Sequence, residues 1–400
     1  MKYLRKIGIY LLIILIIIQC YSLLSMIISN KYFYIVIDLL MLLLILSKKK
    51  IKMKKSYLII AGIYVLVLST LFISGYFRNL EFIFSVILPF PLFIIYLQGD
   101  NALEIGEIYT NIVFVIALLS LFFFFLGSVY GIIRYTGYYP YSIVGWGRNN
   151  YYDYYHLYCQ GQEASAFGYA GVRNIGLFVE GPMLTYVVSI ALYYELFLRK
   201  KSFRKIYVAV LLVTIVTSLS TTGLLVAVIL LYLRFYNIVR KNVYIRYFFI
   251  PIVFCVIGYI LYYIIQDKFT SNIFSASTRV DDIMASFKCF FSHIINGVGY
   301  QNMKAIDPYR SLKISDPGLS TGIGAILAYG GMEWGIWYFI PFIIAIKNYI
   351  TNKNNKKNMT FVIMAFFLLL VTVVQNRILC TVVNSVCWYI VLNEKKETVN

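Results

Sequence analysis

Residues 7–29 read IGIYLLIILIIIQCYSLLSMIIS, an apolar run that follows the basic residues Lys2, Arg5 and Lys6. A helix of about 20 apolar residues spans the hydrocarbon core of a bilayer, which is about 30 Å thick. The run has no small-residue cleavage site, so we interpret it as a retained membrane span and not as a removed signal peptide.

Comparable apolar segments recur through the whole chain, with short polar segments between them. They predict further spans near residues 32–47, 56–76, 82–98, 108–131, 182–198, 206–219, 221–236, 247–265, 324–346, 359–375 and 378–393. The sequence therefore predicts an all-α, polytopic membrane protein with about twelve transmembrane helices. We expect residues 1–400 to form a single integral membrane domain.

The composition excludes several functional classes. Of the 400 residues, 61% are hydrophobic and only 13% are charged, whereas a soluble domain carries about a quarter charged residues. The formal net charge of +19 does not indicate nucleic-acid binding, because the basic residues are dispersed among many loops. The six cysteines form no C-x-x-C pair, and the sequence has no Walker loop and no H-E-x-x-H motif. We therefore expect neither a metal nor a cofactor.

The distribution of Lys and Arg orients the predicted helices. With a cytoplasmic N-terminus, the inner segments hold about twice as many basic residues as the outer ones, which predicts that both termini lie inside. Most of the outer basic residues fall in two long segments, 132–181 and 266–323. They are Arg134, Arg148, Arg173, Lys268, Arg279, Lys288, Lys304, Arg310 and Lys313. Because long segments rich in aromatics and glycine are usually functional, we expect ordered outer loops that carry the activity.

The first outer loop carries ten tyrosines, from Tyr135 to Tyr169, together with Trp146. Such residues form aromatic belts at the membrane interface of many membrane proteins. Their rings also pack on the apolar faces of sugars while the hydroxyl groups form hydrogen bonds. The sequence alone leaves both interpretations open.

The same loop ends in RNIGLFVEGP, residues 173–182, which places Arg173 and Glu180 just before a span that begins with Pro182. Proline favours the first turn of a helix, so both charges are expected near membrane level. A surface ion pair is one interpretation. We favour a site in which Arg173 binds an anion beside a carboxylate, because ionisable groups at this depth are costly and usually functional.

The second outer loop contains STRVDDIMASFKCFFSHIING, residues 277–297, whose apolar residues recur at helical spacing. It predicts an amphipathic helix capped by Thr278, with Asp281 three residues later. Arg279 then lies in the first turn, where a guanidinium and free backbone N–H groups would bind phosphate. Pairing of Arg279 with Asp281 or Asp282 is the alternative. His293 is predicted on the polar face of the helix.

Four segments resemble, in the same order, parts of bacterial polysaccharide repeat-unit polymerases of the Wzy type and of their relatives, the O-antigen ligases. They are RNIGLFVEGP (173–182), SLSTTG (218–223), the stretch from Ser277 through GVGYQN (297–302), and LAYGGMEWG (327–335). The resemblance covers part of the chain only, and the first five predicted spans match nothing beyond general topology. It implies a GT-C-like membrane glycosyltransferase that uses polyprenyl-pyrophosphate-linked oligosaccharides at the outer face of the bacterial cytoplasmic membrane.

The resemblance also implies roles for particular residues. Outer-loop arginines of the family are thought to engage the lipid pyrophosphate, and here they match Arg173 and Arg279, with Arg310 a looser match. Glu180 and Asp282 are both candidates for the base that activates the acceptor hydroxyl, and the sequence does not choose between them. Trp146, Tyr300 and His293 are further candidates for substrate contacts. Ligases commonly carry a histidine near the position of GLSTG (318–322), which has none here, so a polymerase is favoured.

Other functions stay open at this point. A lipid-linked oligosaccharide flippase or transporter would place essential charges within the spans, where Asp38 and Glu333 are predicted to lie. A receptor would bind glycans through the same loops without turnover. The expected partners are lipid-linked oligosaccharides and membrane lipid, with a chain-length regulator and a flippase as further possibilities, and the product would be a capsular, O-antigen or exopolysaccharide chain.

Overall fold

A computed structural model describes most of the chain. The described residues are 2–28, 30–48, 54–73, 79–98, 101–144, 150–166, 169–241, 273–312, 318–351 and 356–393, with the single residues 247, 258 and 262. Every predicted apolar segment within these ranges is helical, which confirms a mainly α-helical protein. The ninth predicted segment, 247–265, lies almost entirely outside the described residues.

The helices follow the apolar runs closely. They are α1 (Lys2–Gln19), α2 (Leu23–Ile27), α3 (Asn30–Leu46), α4 (Lys55–Ile73), α5 (Leu80–Tyr96), α6 (Asn101–Phe123), α7 (Tyr141–Val144), α8 (Gly181–Tyr193), α9 (Lys205–Thr217), α10 (Thr221–Lys241), α11 (Ile273–Ser292), α12 (Met303–Ile306), α13 (Gly322–Thr351), α14 (Lys356–Val371) and α15 (Ile378–Asn393). Wider π-helical turns continue α6 through Phe124–Val129 and α8 through Tyr194–Leu198.

Three helical segments of the described chain are long and apolar enough to cross a membrane. They are Lys55–Ile73, Glu104–Val129 and Gly181–Leu198. Shorter apolar helices cover Leu80–Tyr96, Lys205–Thr217, Thr221–Tyr236 and Ile378–Asn393. These lengths and compositions identify a membrane protein, because a segment of about 18 or more apolar residues matches the thickness of the hydrocarbon core.

The chain divides into two compact units. Unit 1 comprises Met1–Ile112 and Arg279–Asn400, and unit 2 comprises Val113–Thr278. In unit 1, α5 packs against α3, α4 and α15, and α13 packs against α14 and α15. Its core includes stacked rings of Tyr64 and Phe90, 3.9 Å apart, beside Trp337. In unit 2, α8 packs against α9 and α10, and its helical residues are almost all buried.

Helix α13 is broken at Gly331, where φ is 57° and ψ is −149°. This conformation is essentially restricted to glycine. The segment that follows α11 forms hydrogen bonds with the backbone at this break. The N–H groups of Met332 and Glu333 donate to the carbonyl oxygens of Ile294 and Ile295, at 2.7 and 3.1 Å.

The contact continues on the other side of the break. The N–H groups of Val298 and Gly299 donate to the carbonyl oxygens of Ala328 and Tyr329, both at 2.9 Å. GVGYQN and LAYGGMEWG, two of the four segments that carry the family resemblance, therefore form one structural element. The backbone groups that the break releases from the helix are satisfied by this loop.

The first outer loop contains β-structure that the sequence analysis did not predict. Strands β1 (Gly137–Tyr139), β2 (Tyr151–Tyr154) and β3 (Tyr158–Gln160) form one antiparallel sheet. Strands β4 (Glu163–Ala166) and β5 (Tyr169–Val172) form a second. Tyrosine has a high β-propensity, and the tyrosine runs were interpreted only as a belt or a binding surface. The expectation of an all-α protein is therefore correct for the helices and wrong for this loop.

Two predicted helix boundaries are also wrong. Helix α11 begins at Ile273 and not at residue 278, so Thr278 lies inside it and cannot cap it. The apolar run 7–29 forms two helices, because the chain breaks at residues 20–22, where Tyr21 has a φ of 58°. Hydrophobic periodicity does not reveal where a continuous apolar segment changes direction.

We predict that Gly331→Ala destabilises the protein by about 2 kcal/mol or more, because the new methyl group would overlap the carbonyl oxygen of Ile295 in a conformation that alanine avoids. Thermal unfolding of the detergent-solubilised protein measures the effect. Gly62→Ala in α4 is the matched control, since a Cβ there meets nothing within 4 Å. Equal unfolding temperatures for both variants would contradict the role assigned to Gly331.

Candidate functional site

The clearest polar site in unit 2 lies at the start of α8. The side-chain oxygen Oε1 of Gln162 accepts hydrogen bonds from Nε of Arg173, at 2.9 Å, and from the N–H of Gly181, at 3.3 Å. It also contacts Nη2 of Arg173. Donors from a guanidinium and from a helix N-terminus thus converge on one oxygen atom, an arrangement that suits an oxyanion.

Glu180 belongs to the same site. It is the N-cap residue of α8, and its Oε1 lies 3.4 Å from Nε2 of Gln162. Arg173 and Glu180 are both half-buried. The structure therefore brings these two predicted residues together with Gln162 bridging them, and Pro182 lies in the first turn of the helix as expected.

Asn174 anchors this site to the rest of unit 2. Its side-chain Nδ2 donates to Thr217 Oγ1 at 3.1 Å and to Ser120 Oγ at 3.3 Å, and its backbone N–H donates to the Thr217 carbonyl at 3.0 Å. The N–H of Gly176 donates to Asn174 Oδ1 at 3.0 Å. Asn174 is fully buried. These bonds join RNIGLFVEGP to Thr217, the residue immediately before SLSTTG.

The β2–β3 hairpin packs against the same segment from another side. The hydroxyl of Tyr151 donates to the carbonyl oxygen of Val179 at 3.2 Å. The N–H and the thiol of Cys159 donate to the carbonyl oxygens of Gly176 and Phe178, at 2.7 and 2.9 Å. These contacts hold the chain between Arg173 and Glu180 in position, because three of its carbonyl oxygens accept hydrogen bonds from the hairpin.

The tyrosines of the first outer loop separate into two groups. Tyr151, Tyr154 and Tyr158 are buried, and rings of Tyr154 and Tyr158 pack on Phe123. A second group is about half exposed and comprises Tyr135, Tyr138, Tyr141 and Tyr155. The rings of Tyr135 and Tyr138 lie 4.9 and 5.5 Å from that of Tyr152. Among the described tyrosines of this loop, this second group offers the most exposed rings to a ligand or to the membrane interface.

The turn between β2 and β3 holds a buried carboxylate against an exposed imidazole. His156 Nδ1 lies 2.8 Å from Asp153 Oδ2, and the side chains are 56% and 3% exposed. Tyr155 and His156 both have positive φ values, of 57° and 58°. Burial raises the pKa of the Asp153 carboxyl, and His156 opposes that rise. The pair keeps the turn closed beside the exposed tyrosines.

In unit 1, Asp282 pairs with Arg310 and not with Arg279. The Arg310 guanidinium contacts Asp282 Oδ1, and both side chains are only 4% exposed. Ser320 Oγ donates to Asp282 Oδ2 at 2.5 Å. Arg310 also contacts the carbonyl oxygen of Gly318. Burial raises the pKa of Asp282, although Ser320 and Arg310 oppose that rise. With both carboxylate oxygens engaged, Asp282 is poorly placed to accept a proton from a substrate.

The neighbouring Asp281 has a structural partner as well. Its carboxylate accepts hydrogen bonds from the N–H groups of Ser311 and Leu312, at 2.8 and 3.2 Å. Arg279 is exposed on α11, and it forms no ion pair with any of the residues that the structure describes. The alternative in which Arg279 merely neutralises Asp281 or Asp282 is thus wrong within the described chain, and the guanidinium faces solvent from the second turn of the helix.

The other residues that were predicted to contact the substrate lie in different surroundings. Tyr300 is 7% exposed and packs against Phe82 and Trp334, so it lies in the core and does not line an open groove. His293 is exposed near the end of α11, with its ring edge toward Tyr309. Trp146 lies outside the described residues. Arg310 is the buried partner of Asp282.

Three residues of these sites were not predicted from the sequence. Gln162 and Ser320 are common polar residues in loop segments, and no spacing marks them. Arg377 is buried in the turn between α14 and α15, where a single basic residue next to two apolar runs resembles an ordinary flanking charge. The one signal in the sequence was that Arg377 falls in a predicted outer segment, where basic residues are less common.

Comparisons of the chain with protein-family models, with curated proteins and with solved structures found no match. Among the described residues, no group of three or more His, Cys, Asp or Glu side chains is arranged to hold a metal ion. The sites of units 1 and 2 are accordingly interpreted from their own geometry.

We predict that Arg310→Ala destabilises the protein by about 3–5 kcal/mol, because it leaves the Asp282 carboxylate buried without its partner. The double variant Asp282→Leu/Arg310→Met should recover most of that loss, since neither charge is then buried. Denaturant unfolding measures both. Asp307→Ala is the control: its carboxylate is 44% exposed and lies 3.5 Å from Arg310, so a change within about 0.5 kcal/mol is expected. A double variant as unstable as Arg310→Ala would argue against this pairing.

Proposed function

We propose that this protein is a membrane glycosyltransferase that polymerises polyprenyl-pyrophosphate-linked oligosaccharide repeat units. The observation that carries the proposal is the convergence of Arg173 and the N–H of Gly181 on Gln162 Oε1, at the start of a helix apolar enough to span a membrane. A lipid diphosphate presents oxygen atoms at that level of a bilayer. The family resemblance of RNIGLFVEGP supports the same assignment.

In this proposal a phosphate oxygen takes the place of Gln162 Oε1. The guanidinium of Arg173 then binds the phosphate through two parallel hydrogen bonds, and the N-terminus of α8 adds a favourable dipole. Arg279, which is exposed on α11 of unit 1, is proposed as a phosphate-binding guanidinium in its own right. Arg310 keeps Asp282 and the 318–320 segment of unit 1 in place.

The proposed reaction is a single displacement with inversion. The acceptor sugar hydroxyl attacks the anomeric carbon of the lipid-linked chain, and the bond from that carbon to the phosphate oxygen breaks. The electron pair of that bond leaves on the diphosphate, whose charge Arg173 stabilises. Glu180 takes the hydroxyl proton, because its carboxylate lies at this site, 3.4 Å from Gln162 Nε2, whereas both carboxylate oxygens of Asp282 are engaged by Arg310 and Ser320.

The exposed tyrosines around Tyr152 are the proposed surface for the growing glycan. Their rings present flat apolar faces and their hydroxyl groups reach solvent, which matches the two faces of a sugar ring. The proposal places these loops outside a bacterial cytoplasmic membrane, with about twelve helices in a GT-C-like arrangement and both termini inside. The expected partners are lipid-linked oligosaccharides, membrane lipid, a chain-length regulator and a flippase. An O-antigen-ligase type of transfer to a different acceptor is the nearest alternative reaction.

A second candidate function, transport of a lipid-linked oligosaccharide, is favoured by one observation. Asp38 lies in α3, is 6% exposed, and has both carboxylate oxygens without a partner among the described residues. A carboxylate buried at membrane depth is typical of proton-coupled transport. A cell-free assay with a synthetic lipid-pyrophosphate repeat unit separates the two functions, since a polymerase yields a ladder of longer glycans and a transporter moves its substrate unchanged.

We predict that Arg173→Ala lowers the rate of chain extension about 10²–10³-fold, because it removes charge stabilisation at the leaving group. Arg173→Lys should recover no more than about tenfold, since an ammonium lacks the planar fork of a guanidinium. Arg279→Ala is also expected to stop extension. The measurement is glycan length in the cell-free assay. Arg134→Ala is the matched control, because Arg134 is an exposed arginine of the same outer loop. Full-length polymer from the Arg173→Ala protein would refute the pyrophosphate assignment.

We also predict opposite effects for two changes at Gln162. Gln162→Glu introduces a carboxylate that pairs with Arg173, so the KM for the lipid-linked donor should rise about tenfold or more. Gln162→Ala removes the side chain that competes for the guanidinium, so this KM should stay constant or fall. Initial rates at varied donor concentration distinguish these outcomes. Similar KM values for the two variants would mean that Gln162 does not occupy the phosphate position.

A further inference from the structure

The turn between α14 and α15 carries a concentration of buried polar groups in unit 1. Gln375 and Arg377 are 2% and 5% exposed. The hydroxyl of Tyr34 lies 3.1 Å from the Asn376 carbonyl oxygen and 2.9 Å from Glu81 Oε1. The N–H of Ile378 donates to Gln19 Oε1 at 3.1 Å. Side chains of α1, α3 and α5 therefore surround this turn.

The guanidinium of Arg377 is buried beside Tyr21, Tyr34 and Met26, with Glu81 close enough to attract it electrostatically. Its carbon Cζ lies 3.7 Å from the centre of the Tyr21 ring. Its Nη1 lies 3.5 Å from the Tyr34 hydroxyl, and its Nη2 lies 3.8 Å from the Met26 sulfur. Both contacts are long for hydrogen bonds, and Nε has no partner among the described residues. A buried charge normally has close, well-aligned partners, because its desolvation is costly.

Four other buried polar atoms near Arg377 lack a hydrogen-bond partner in the described chain. Besides Arg377 Nε, they are Gln19 Nε2, Asn30 Oδ1, Gln375 Oε1 and Asn376 Oδ1. Asn30 lies one helical turn before Tyr34 in α3, and Gln19 is bonded to Ile378. Unsatisfied buried groups are rare in folded proteins, and a group of them at one place indicates that ordered water or a ligand completes their hydrogen bonds.

The chemistry of these atoms restricts what that partner is. Arg377 Nε and Gln19 Nε2 donate hydrogen bonds, whereas the oxygens of Asn30, Gln375 and Asn376 accept them. An anion satisfies only the donors, and a metal cation satisfies only the acceptors. A hydroxyl group both donates and accepts, as water does, so a ligand with several hydroxyl groups satisfies the whole set and takes the place of ordered water.

The backbone at Tyr21 is a second, independent sign of function. Tyr21 has a φ of 58° at the break between α1 and α2, and its ring covers Arg377. Bulky residues rarely adopt this conformation, and such strained positions cluster at ligand sites. Asn30, Glu81 and Asn376 are partly exposed, so the buried polar groups continue to the protein surface.

We propose that Gln19, Asn30, Glu81, Gln375, Asn376 and Arg377 form a binding site for a sugar residue. Hydroxyl groups of the sugar bind the amides and Nε of Arg377, and the sugar enters past the partly exposed rim of Asn30, Glu81 and Asn376. The inference rests on the proposed function, in that the sugar belongs to the glycan being extended. It assigns unit 1 a neutral glycan site that is separate from the phosphate contact of Arg173.

The test uses the full-length protein in lipid nanodiscs. The probe is an oligosaccharide obtained by partial acid hydrolysis of the surface polysaccharide of the host cell, and its binding is measured by intrinsic tryptophan fluorescence or calorimetry. Gln375→Ala and Asn376→Ala should each raise its dissociation constant about five- to tenfold, as expected for one lost hydrogen bond. Inorganic pyrophosphate, titrated in parallel, should bind both variants like the wild type.

Asn384→Ala is the matched control, because Asn384 is a 4% exposed asparagine further along α15 whose Nδ2 is also unpaired in the described chain. It should leave oligosaccharide binding unchanged. Thermal unfolding of every variant checks that it is folded. Unchanged oligosaccharide affinity in Gln375→Ala and Asn376→Ala, an equal loss in Asn384→Ala, or no binding by the wild type would each overturn the sugar site.

Chain extension is measured on the same preparations to separate this proposal from the proposed function. Binding that depends on Gln375, without any extension by the wild type, would support the sugar site and reject the polymerase. Extension that is unaffected by both amide variants, in KM as well as kcat, would reject the sugar site and leave the polymerase standing. If both hold, the variants should raise the KM for the acceptor while kcat changes little.

Discussion

The constraint on which this structure depends is that polar groups removed from water need partners within the chain. Along each apolar run, the hydrogen bonds of the helix provide these partners for the backbone groups. Where a helix stops or breaks, the released groups need other partners, and here the outer segments supply them. The loop at 294–299 pairs with the backbone on both sides of the break at Gly331, and Asn174 does the same for the end of α9. The outer loops are therefore integral to the helical units.

The buried charged side chains differ in how closely they are paired within the chain. Asp282 is matched by Arg310 and Ser320, and Glu195 in unit 2 is matched by Arg204 at 2.7 Å, with the Arg204 guanidinium also lying over the Tyr207 ring. Such close ion pairs are structural, because removing either partner leaves an uncompensated charge. Arg377 differs, since its contacts to the Tyr34 hydroxyl and the Met26 sulfur are long. The degree of pairing thus separates groups that maintain the fold from groups that are available to a ligand.

Much of the helical framework could be predicted from the sequence, because apolar runs of membrane length leave few alternatives. The break at residues 20–22 and the start of α11 at Ile273 could not be predicted, since neither interrupts the apolar pattern. For the sites, position relative to a span was informative: Arg173 and Glu180 were expected together and lie in one cluster. The partners of Asp282 could not be foreseen, because Arg310 and Ser320 are distant in sequence and only the fold brings them close. The sheets of the first outer loop were missed since tyrosine suits a strand, a membrane interface and a sugar surface equally well.

The position of Gln162 has a consequence for selectivity. Its amide oxygen already accepts hydrogen bonds from both the guanidinium of Arg173 and the N-terminus of α8, so these donors of the resting site are occupied from within the chain. Stray orthophosphate or chloride in the surroundings has to compete with a tethered group that is present at high effective concentration. Under the proposed function, a lipid headgroup delivered along the bilayer overcomes this competition more readily than a soluble ion, so occupancy by Gln162 would favour the lipid-linked substrate.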